Sequence, residues 1–245
     1  MNAFLMQCKM EIIRVFRNPY FIFWTLFMPI LFYFIFTRLV SSSYPDNDLW
    51  NAHYLMSMTT FAVMGSSIMI FGIRLVQEKI QGWTTFMKIT PLPSWAYFTS
   101  KMIGQTAVHL FIIIVIFLAG VLINGVSLPL SQWILSGLWI LLAALPFLAI
   151  GNLVGSMKRV ETASGVSNFI YLGLAILGGM WFPMDIFPTL MQQIAEWLPS
   201  FHFGNGAWMI IRGKFPEWNS YVVLIAYLIL LMALSILIRR KQQAY

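Results

Sequence analysis

Charged residues are scarce in this sequence. Only 9% of its 245 residues are Asp, Glu, Lys or Arg and 60% are hydrophobic, whereas an average soluble domain carries about 25% charged residues. Six uncharged apolar runs are each close to the roughly 17 to 25 residues that a helix needs to cross a bilayer. They cover residues 20–36, 54–73, 102–123, 133–154, 163–182 and 221–238. The sequence therefore predicts an all-α, multi-pass membrane protein with six transmembrane helices.

Catalytic motifs are absent as well. The single cysteine, Cys8, excludes an intramolecular disulfide, and no G-x-x-x-x-G-K-[ST], H-E-x-x-H, G-x-S-x-G or C-x-x-C motif occurs. Apart from His109, the six runs contain no Asp, Glu, Lys, Arg or His. The position of His109 near the inner end of the third run favours a neutral, hydrogen-bonded histidine over a proton relay. We therefore expect no enzyme activity, no metal site and no cofactor in this chain.

The few charges are distributed unevenly. If the N-terminus is cytoplasmic, twelve of the fifteen basic residues fall on the inner side, and only Arg38, Arg212 and Lys214 fall outside. This positive-inside bias predicts that both termini are cytoplasmic. The net charge of +7 then reflects topology and anionic lipid headgroups rather than a nucleic-acid partner.

The N-terminal segment, residues 1–18, has a helical pattern. Its apolar side chains recur near every fourth position, and Lys9, Arg14 and Arg17 lie largely off that stripe. This pattern predicts a basic amphipathic helix in the cytoplasmic interface, ended by Pro19.

Two features of the apolar runs predict how the helices pack. Gly151 and Gly155 have the G-x-x-x-G spacing that lets helices approach closely in lipid, and we expect a contact within the chain more than one between chains. Pro29 and Pro146 interrupt the first and fourth runs, where a proline usually kinks a helix.

A second cytoplasmic segment, residues 77–93, lies between the second and third runs. Val76, Ile80, Trp83 and Met87 follow the spacing i, i+4, i+7, i+11, which predicts a helix of about three turns ended by two prolines. Such a helix could lie on the bilayer or seat its apolar side chains in a groove of a cytosolic protein. Periodicity alone leaves both alternatives open.

An apolar and aromatic segment follows the fifth run. Four prolines divide residues 183–218 into pieces that are too short to cross the membrane. Leu190, Ile194 and Trp197 have helical spacing, and backbone at membrane depth must be helical or buried, which favours a re-entrant helical cap. The alternative is an external hairpin anchored on the headgroups by Trp197, Trp208 and Trp218.

The order of these features resembles the membrane permease subunit of type 2 ATP-binding-cassette (ABC) exporters. The resemblance depends on the N-terminal segment ending in RNP (17–19), the Glu78-Lys79-x-x-Gly82 sequence leading to TPL (90–92), and GGMWFPMDIFP (178–188) followed by LP (198–199). It covers nearly the whole chain. It implies one permease domain, 1–245, that pairs with a second permease copy, identical or paralogous, in a bacterial cell membrane. ATP would be bound by separate cytosolic ATPase subunits.

The resemblance also implies roles for particular segments. Residues 77–93 would be the coupling helix that docks on the ATPase, supported by the N-terminal helix. The translocation path would be lined by spans one, two and five and closed outside by residues 183–218. The implied ATPase-coupling contacts are Arg14, Arg17, Glu78, Lys79, Gly82, Trp83 and Met87. The implied residues of the extracellular gate or cap are Phe182, Pro183, Asp185, Pro188, Trp197 and Pro199. The family often has a more highly charged R-E-R-x-x-G-T run where this chain has QEKIQGW (77–83), so fewer charge contacts are expected.

We therefore expect the permease of an ATP-driven exporter that moves an amphipathic, drug-like or lipid-like molecule outward. A composition rich in Phe, Met and Trp suits such cargo, although ordinary packing and lipid contact also account for these residues. The alternative is an accessory or immunity membrane protein that binds a partner and transports nothing. A cytosolic ATPase that co-purifies with the chain would distinguish the two.

Overall fold

The computed structural model describes residues 3–17, 19–40, 47–83, 89 and 93–243, and within these ranges it is helical, with no β-strand. The all-α prediction is confirmed for these residues. The elements in chain order are α1 (Ala3–Phe16), α2 (Pro19–Val40), α3 (Asn47–Gly65), a π-helical segment (Ser66–Ile70), α4 (Phe71–Ile80), α5 (Ser94–Asn124), α6 (Leu130–Ala143), α7 (Leu145–Val154), α8 (Val160–Leu177), a 3₁₀ turn (Met184–Ile186), α9 (Thr189–Ala195), α10 (Pro199–Ile211) and α11 (Trp218–Gln243).

Five helical stretches of the described residues are long and apolar enough to cross a membrane. They are Asp48–Ile80, Thr99–Asn124, Leu130–Val154, Val160–Leu177 and Trp218–Ile238. These stretches overlap the second to sixth predicted runs. The first predicted run falls on α2, whose apolar part, Phe23–Arg38, is shorter.

The stretch Asp48–Ile80 is the central helix of the fold, because 72% of its most apolar window is buried against the rest of the chain. It comprises α3, the π-helical segment and α4. Helix α7 packs against its π-helical segment and against α4. A Cβ on Gly151 would lie 2.1 Å from the Ser67 carbonyl oxygen, and one on Gly155 would lie 2.7 Å from Leu75 Cβ. The predicted contact of the G-x-x-x-G pair within the chain is therefore confirmed.

The predicted interruption at Pro146 is also visible. Helix α6 ends at Ala143, and α7 begins at Leu145 with the proline in its first turn, where a missing N–H costs no intrahelical bond. In contrast, Pro29 lies inside the continuous helix α2.

The segment 183–218 contains two helices of opposite character. The predicted short helix corresponds to α9, with Leu190 and Ile194 exposed. Helix α10 packs against α3, α6 and α11 and is buried along most of its length. Its 13 residues, at about 1.5 Å per residue, are too few to cross about 30 Å of hydrocarbon.

Two tryptophan contacts hold α10 in place. Trp208 donates a hydrogen bond to Ser57 Oγ at 2.9 Å, and Trp139 donates one to the Phe203 carbonyl at 3.0 Å. Trp197 and Trp218 are 76% and 78% exposed, whereas Trp208 is 5% exposed. The interpretation of Trp208 as a headgroup anchor is therefore wrong, because its indole is satisfied inside the protein.

Candidate functional site

A buried ionic cluster joins α1, α4 and α5. Lys101 Nζ lies 2.9 Å from Glu11 Oε1 and 2.5 Å from Glu78 Oε2, while Arg14 Nη1 lies 3.0 Å from Glu78 Oε1. The Tyr97 hydroxyl also donates a hydrogen bond to Glu78 Oε2 at 3.1 Å. We call these five residues the ionic cluster. It balances two carboxylates with two cations, as a site with little access to water requires.

The local sequence explains how α1 reaches this cluster. Cys8, Glu11 and Val15 are its buried positions, and their spacing of three and four residues places them on one face of the helix. That face packs on α5, where Gly104 makes room: a Cβ there would lie 3.1 Å from Glu11 Cβ. The predicted apolar stripe of α1 therefore includes an acidic residue and faces protein.

Three charged side chains of the ionic cluster are almost completely buried. Lys101 is fully buried, and the side chains of Glu11 and Glu78 are only 3% and 2% exposed. Burial, followed by the charge of Glu78, raises the pKa of the Tyr97 phenol above its ordinary value, so Tyr97 remains a neutral hydrogen-bond donor. Removing one partner of such a buried pair costs about 3–5 kcal/mol, because the other charge is left uncompensated.

The predicted coupling residues differ in how far they are exposed to solvent. Glu78 is buried in the ionic cluster, so its interpretation as a surface contact for another protein does not fit the structure. Arg14 is partly exposed and its guanidinium lies 5.0 Å from the ring centroid of Trp83, which is itself 41% exposed. Lys79 donates a hydrogen bond to the Ser156 carbonyl at 3.2 Å, and Arg17 is exposed at the end of α1.

The predicted three-turn helix is also corrected. Helix α4 ends at Ile80, and Gly82 has a φ of +78°, a backbone conformation that glycine adopts without strain and that typically ends a helix. Val76 and Trp83 therefore do not lie on one continuous helix, and Val76 is buried against Val154 and other apolar side chains. Met87 lies outside the described residues.

An apolar groove runs between α2, the central helix and α8. Its volume is about 630 Å³. Tyr171 stacks on Phe61 with centroids 4.7 Å apart, and a Cβ on Gly65 would lie 2.7 Å from the Tyr171 ring, so a glycine is needed for this close approach. The groove is lined by Trp24, Thr25, Met28, Pro29, Phe32, Phe61, Ala62, Gly65, Ser66, Met69, Ile70, Asn168, Tyr171, Leu172 and Trp181. These residues come from spans one, two and five and from the loop after span five.

The loop after α8 lies at one end of this groove. The Trp181 ring is 5.4 Å from that of Phe32 and 5.7 Å from that of Phe61, and the Tyr54 hydroxyl donates a hydrogen bond to the Trp181 carbonyl at 3.3 Å. Phe182 contacts the Phe36 ring at 6.0 Å. Trp181 is therefore the aromatic residue of this loop that contacts the groove most closely.

The other predicted cap residues lie farther along the loop. Asp185, Pro188 and Trp197 are exposed, Pro183 is half-buried, and Pro199 is buried at the start of α10. Gln192 fixes the turn, because its side-chain amide donates hydrogen bonds to the Met184 and Phe187 carbonyls at 3.1 and 2.9 Å. The structure thus does not gather the predicted cap residues into a single cluster.

A polar contact between α5 and the π-helical segment was missed by sequence reasoning. Gln105 Nε2 donates a hydrogen bond to Ser66 Oγ at 2.7 Å, and His109 Nε2 lies 3.1 Å from Ser67 Oγ and 3.3 Å from Gln105 Nε2. The prediction of a hydrogen-bonded His109 is confirmed, and the side chain is also buried. The spacing of Gln105 and His109, four residues apart, was a signal that both face the same neighbour.

Lys101 and Glu11 were also missed as site residues. The signal for Glu11 was its place on the stripe with Cys8 and Val15, and the signal for Lys101 was a charge within the first turns of a long apolar helix. Such a charge needs a partner when it is buried, but the sequence does not show which partner.

Comparisons with known proteins agree with this architecture. Residues 43–237 match the model of the family described as ABC-2 family transporter protein. Over 244 residues, which cover 100% of both chains, the sequence is 54% identical to the protein named "Putative transport permease YvfS" of Bacillus subtilis (strain 168). A match over most of the chain, together with a full-length relative at this identity, shows that the chain belongs to the ABC-2 transporter family, as a transport permease subunit and not an enzyme.

Proposed function

We propose that this chain is the membrane permease of an ATP-driven exporter, powered by a separate cytosolic ATPase, and that it moves an amphipathic or lipid-like molecule out of a bacterial cell. The full-length relative is itself named a transport permease, and this sequence contains no nucleotide-binding motif. The energy for transport must then come from another chain.

We further propose a six-span topology with both termini in the cytoplasm. Helix α2 has 22 residues, about 33 Å at 1.5 Å per residue, which is enough to cross the hydrocarbon core. The outward side of α1 exposes Met6, Met10 and Ile13 at helical spacing, and this supports a position of α1 in the cytoplasmic interface. The short, buried helix α10 supports a re-entrant arrangement of residues 183–218.

The observation that carries the proposal is a continuous physical connection from the end of α4 to the apolar groove. The exposed side chains of Ile80 and Trp83 lie where the chain leaves α4. Glu78, two residues before Ile80, is fastened to α1 and α5 through the ionic cluster. The same helical stretch contributes Met69 and Ile70 to the groove.

This connection defines a mechanism. When the ATPase closes on ATP, it presses on Trp83 and the turn at Gly82. The ionic cluster makes α1, α4 and α5 move together, because parting them would expose unpaired charges at a cost of several kcal/mol. The groove-lining face of the central helix then shifts against α2 and α8.

Replacement of Trp83 by Asp tests the docking role. Trp83→Asp should abolish co-purification of a cytosolic ABC ATPase co-expressed with the permease and remove permease-stimulated ATP hydrolysis, because burying a carboxylate in an apolar groove on the ATPase surface is costly. The fold should persist, because the exposed Arg14–Trp83 contact stabilises it by only about 0.5–1 kcal/mol.

Trp197→Asp is the matched control, since Trp197 is also an exposed tryptophan but lies in the segment proposed to face outside. It should leave ATPase binding unchanged. Normal ATPase recruitment by Trp83→Asp, measured at equal membrane insertion, would refute the proposed coupling.

A further inference from the structure

A polar cavity adjoins the apolar groove on the same face of the central helix. Its volume is about 400 Å³, and Met69 and Ile70 line both spaces. The polar cavity continues along the helix past Arg74, one turn beyond Ile70, to Gln77 and Gln81. A molecule whose apolar body fills the groove would therefore place its polar end beside Arg74.

The carboxylates near this cavity are already neutralised. Glu78 lines the cavity, but both of its oxygens lie within 3.0 Å of the cations Lys101 and Arg14. Lys101 also pairs with Glu11. The ionic cluster thus has two negative and two positive charges, and it leaves no carboxylate over for a further cation.

Arg74 adds a positive charge that this balance does not include. No acidic oxygen of the described residues lies within 4.0 Å of its guanidinium, and Nε and Nη1 are buried without a hydrogen-bond partner among those residues. Its Nη2 approaches Gln105 Oε1 at 3.5 Å, a long distance for a hydrogen bond. Buried guanidinium groups normally have anionic or hydrogen-bonded partners, and a planar guanidinium fits a carboxylate or phosphate through two parallel bonds.

We propose that the permease binds an anionic amphiphile, with its carboxylate or phosphate on Arg74 and its apolar body in the groove. This inference rests on the proposed transport function and names the chemical class of the cargo. Arg14 lines the same cavity, but its charge is balanced by Glu78, so Arg74 supplies the positive charge that would attract the anion. The apolar volume of about 630 Å³ matches a single hydrocarbon chain or a fused ring system better than a small hydrophilic anion.

Binding of a charged and an uncharged probe to the purified permease tests this proposal. The probes are 11-(dansylamino)undecanoic acid and its methyl ester, added to permease in phosphatidylcholine nanodiscs and followed by energy transfer from tryptophan to dansyl. Trp24 and Trp181 line the groove. The wild type should bind the acid at least about tenfold more tightly than the ester, as the energy of a charge-assisted hydrogen bond predicts. Arg74→Gln should remove this preference while keeping affinity for the ester, and Arg74→Lys should retain part of it.

Arg159→Gln is the control, because Arg159 is an exposed arginine outside both cavities. It should keep the full preference for the acid. The proposal is overturned if Arg74→Gln retains that preference, and equally if Arg74→Gln weakens both probes by the same factor. The latter result would show loss of the groove rather than loss of charge recognition.

Two sources could supply such an anion, a membrane phospholipid or a non-lipid amphiphile. If phosphatidylglycerol added to the nanodisc displaces the acid from the wild type but not from Arg74→Gln, the anion is a lipid headgroup. Undiminished binding of the acid assigns the site to a non-lipid amphiphile. Because no ATPase is present, failure of this test leaves the proposed ATP-driven function intact, whereas failure of the Trp83 test leaves the anion site intact.

Discussion

Lys101→Met is expected to be the most damaging single change in the ionic cluster. Lys101 Nζ lies within 2.9 Å of carboxylate oxygens from both Glu11 and Glu78, and its side chain is fully buried. Methionine keeps a similar length but removes the charge. Arg14 continues to neutralise Glu78, while among the residues that the structure describes Glu11 keeps only the hydrogen bond from the Gln7 side chain at 3.2 Å.

The magnitude follows from the buried carboxylate that is left behind. Removing one partner of a buried ion pair costs about 3–5 kcal/mol, and for a chain of this size each kcal/mol lowers Tm by roughly 2–4 °C. We therefore expect Lys101→Met to lower Tm by about 6–20 °C. Adding Glu11→Gln should restore part of this loss, with a coupling of about 0.5–3 kcal/mol between the two changes.

The assay is SDS-titrated and thermal unfolding of the purified permease in mixed micelles, followed by tryptophan fluorescence. Lys158→Met serves as the matched control, because Lys158 is exposed and surface substitutions usually change stability by no more than about 0.5 kcal/mol. If Lys101→Met unfolds at the same point as Lys158→Met, the ionic cluster does not hold α1, α4 and α5 together. The proposed transmission from the ATPase to the groove then loses its physical basis.

Two further predictions concern packing and topology. Gly151→Ala should destabilise the permease by about 1–3 kcal/mol, because the added Cβ would lie 2.1 Å from the Ser67 carbonyl oxygen. Gly165→Ala is the control and should be neutral or slightly stabilising, because a Cβ there meets nothing within 4 Å. Equal effects of the two changes in the same unfolding assay would contradict the close approach of α7. For topology, Asp185→Cys and Lys158→Cys are made in a chain in which Cys8 is replaced by Ser. The first should react with an impermeant maleimide in intact cells, and the second should react only after lysis. The reverse pattern would overturn the orientation.

Several elements of the fold could be predicted from the sequence because they depend on local chemistry. Hydrophobic length predicted all five of the described stretches that qualify as membrane spans, and the G-x-x-x-G spacing of Gly151 and Gly155 predicted a close helix contact. His109 could be recognised as a hydrogen-bonded residue because a charged histidine is costly inside a span. Each of these predictions requires only the neighbours along one helix.

The failures of prediction have a different cause. The apolar residues from Val76 to Met87 have the spacing of one amphipathic helix. However, α4 ends at Ile80, and Gly82 follows with a φ of +78°. A single glycine in a sequence does not show whether its φ is positive. Glu78 was interpreted as a contact for the ATPase because the family resemblance places residues 77–93 at the coupling helix. Its burial depends on Lys101, 23 positions later in the chain, and on Arg14, 64 positions earlier.

The sequence by itself determined the solvent in which this protein folds and the helical form of the backbone, because hydrocarbon leaves the backbone few ways to satisfy its hydrogen bonds. The family also follows from the sequence, since the order of motifs extends over nearly the whole chain. Only the tertiary structure decided which charges meet in the ionic cluster, that Arg74 remains outside its balance, and that α2, the central helix and α8 enclose the apolar groove. These features depend on side chains from distant parts of the chain, and the energy of a buried charge is determined by what lies within a few ångströms of it.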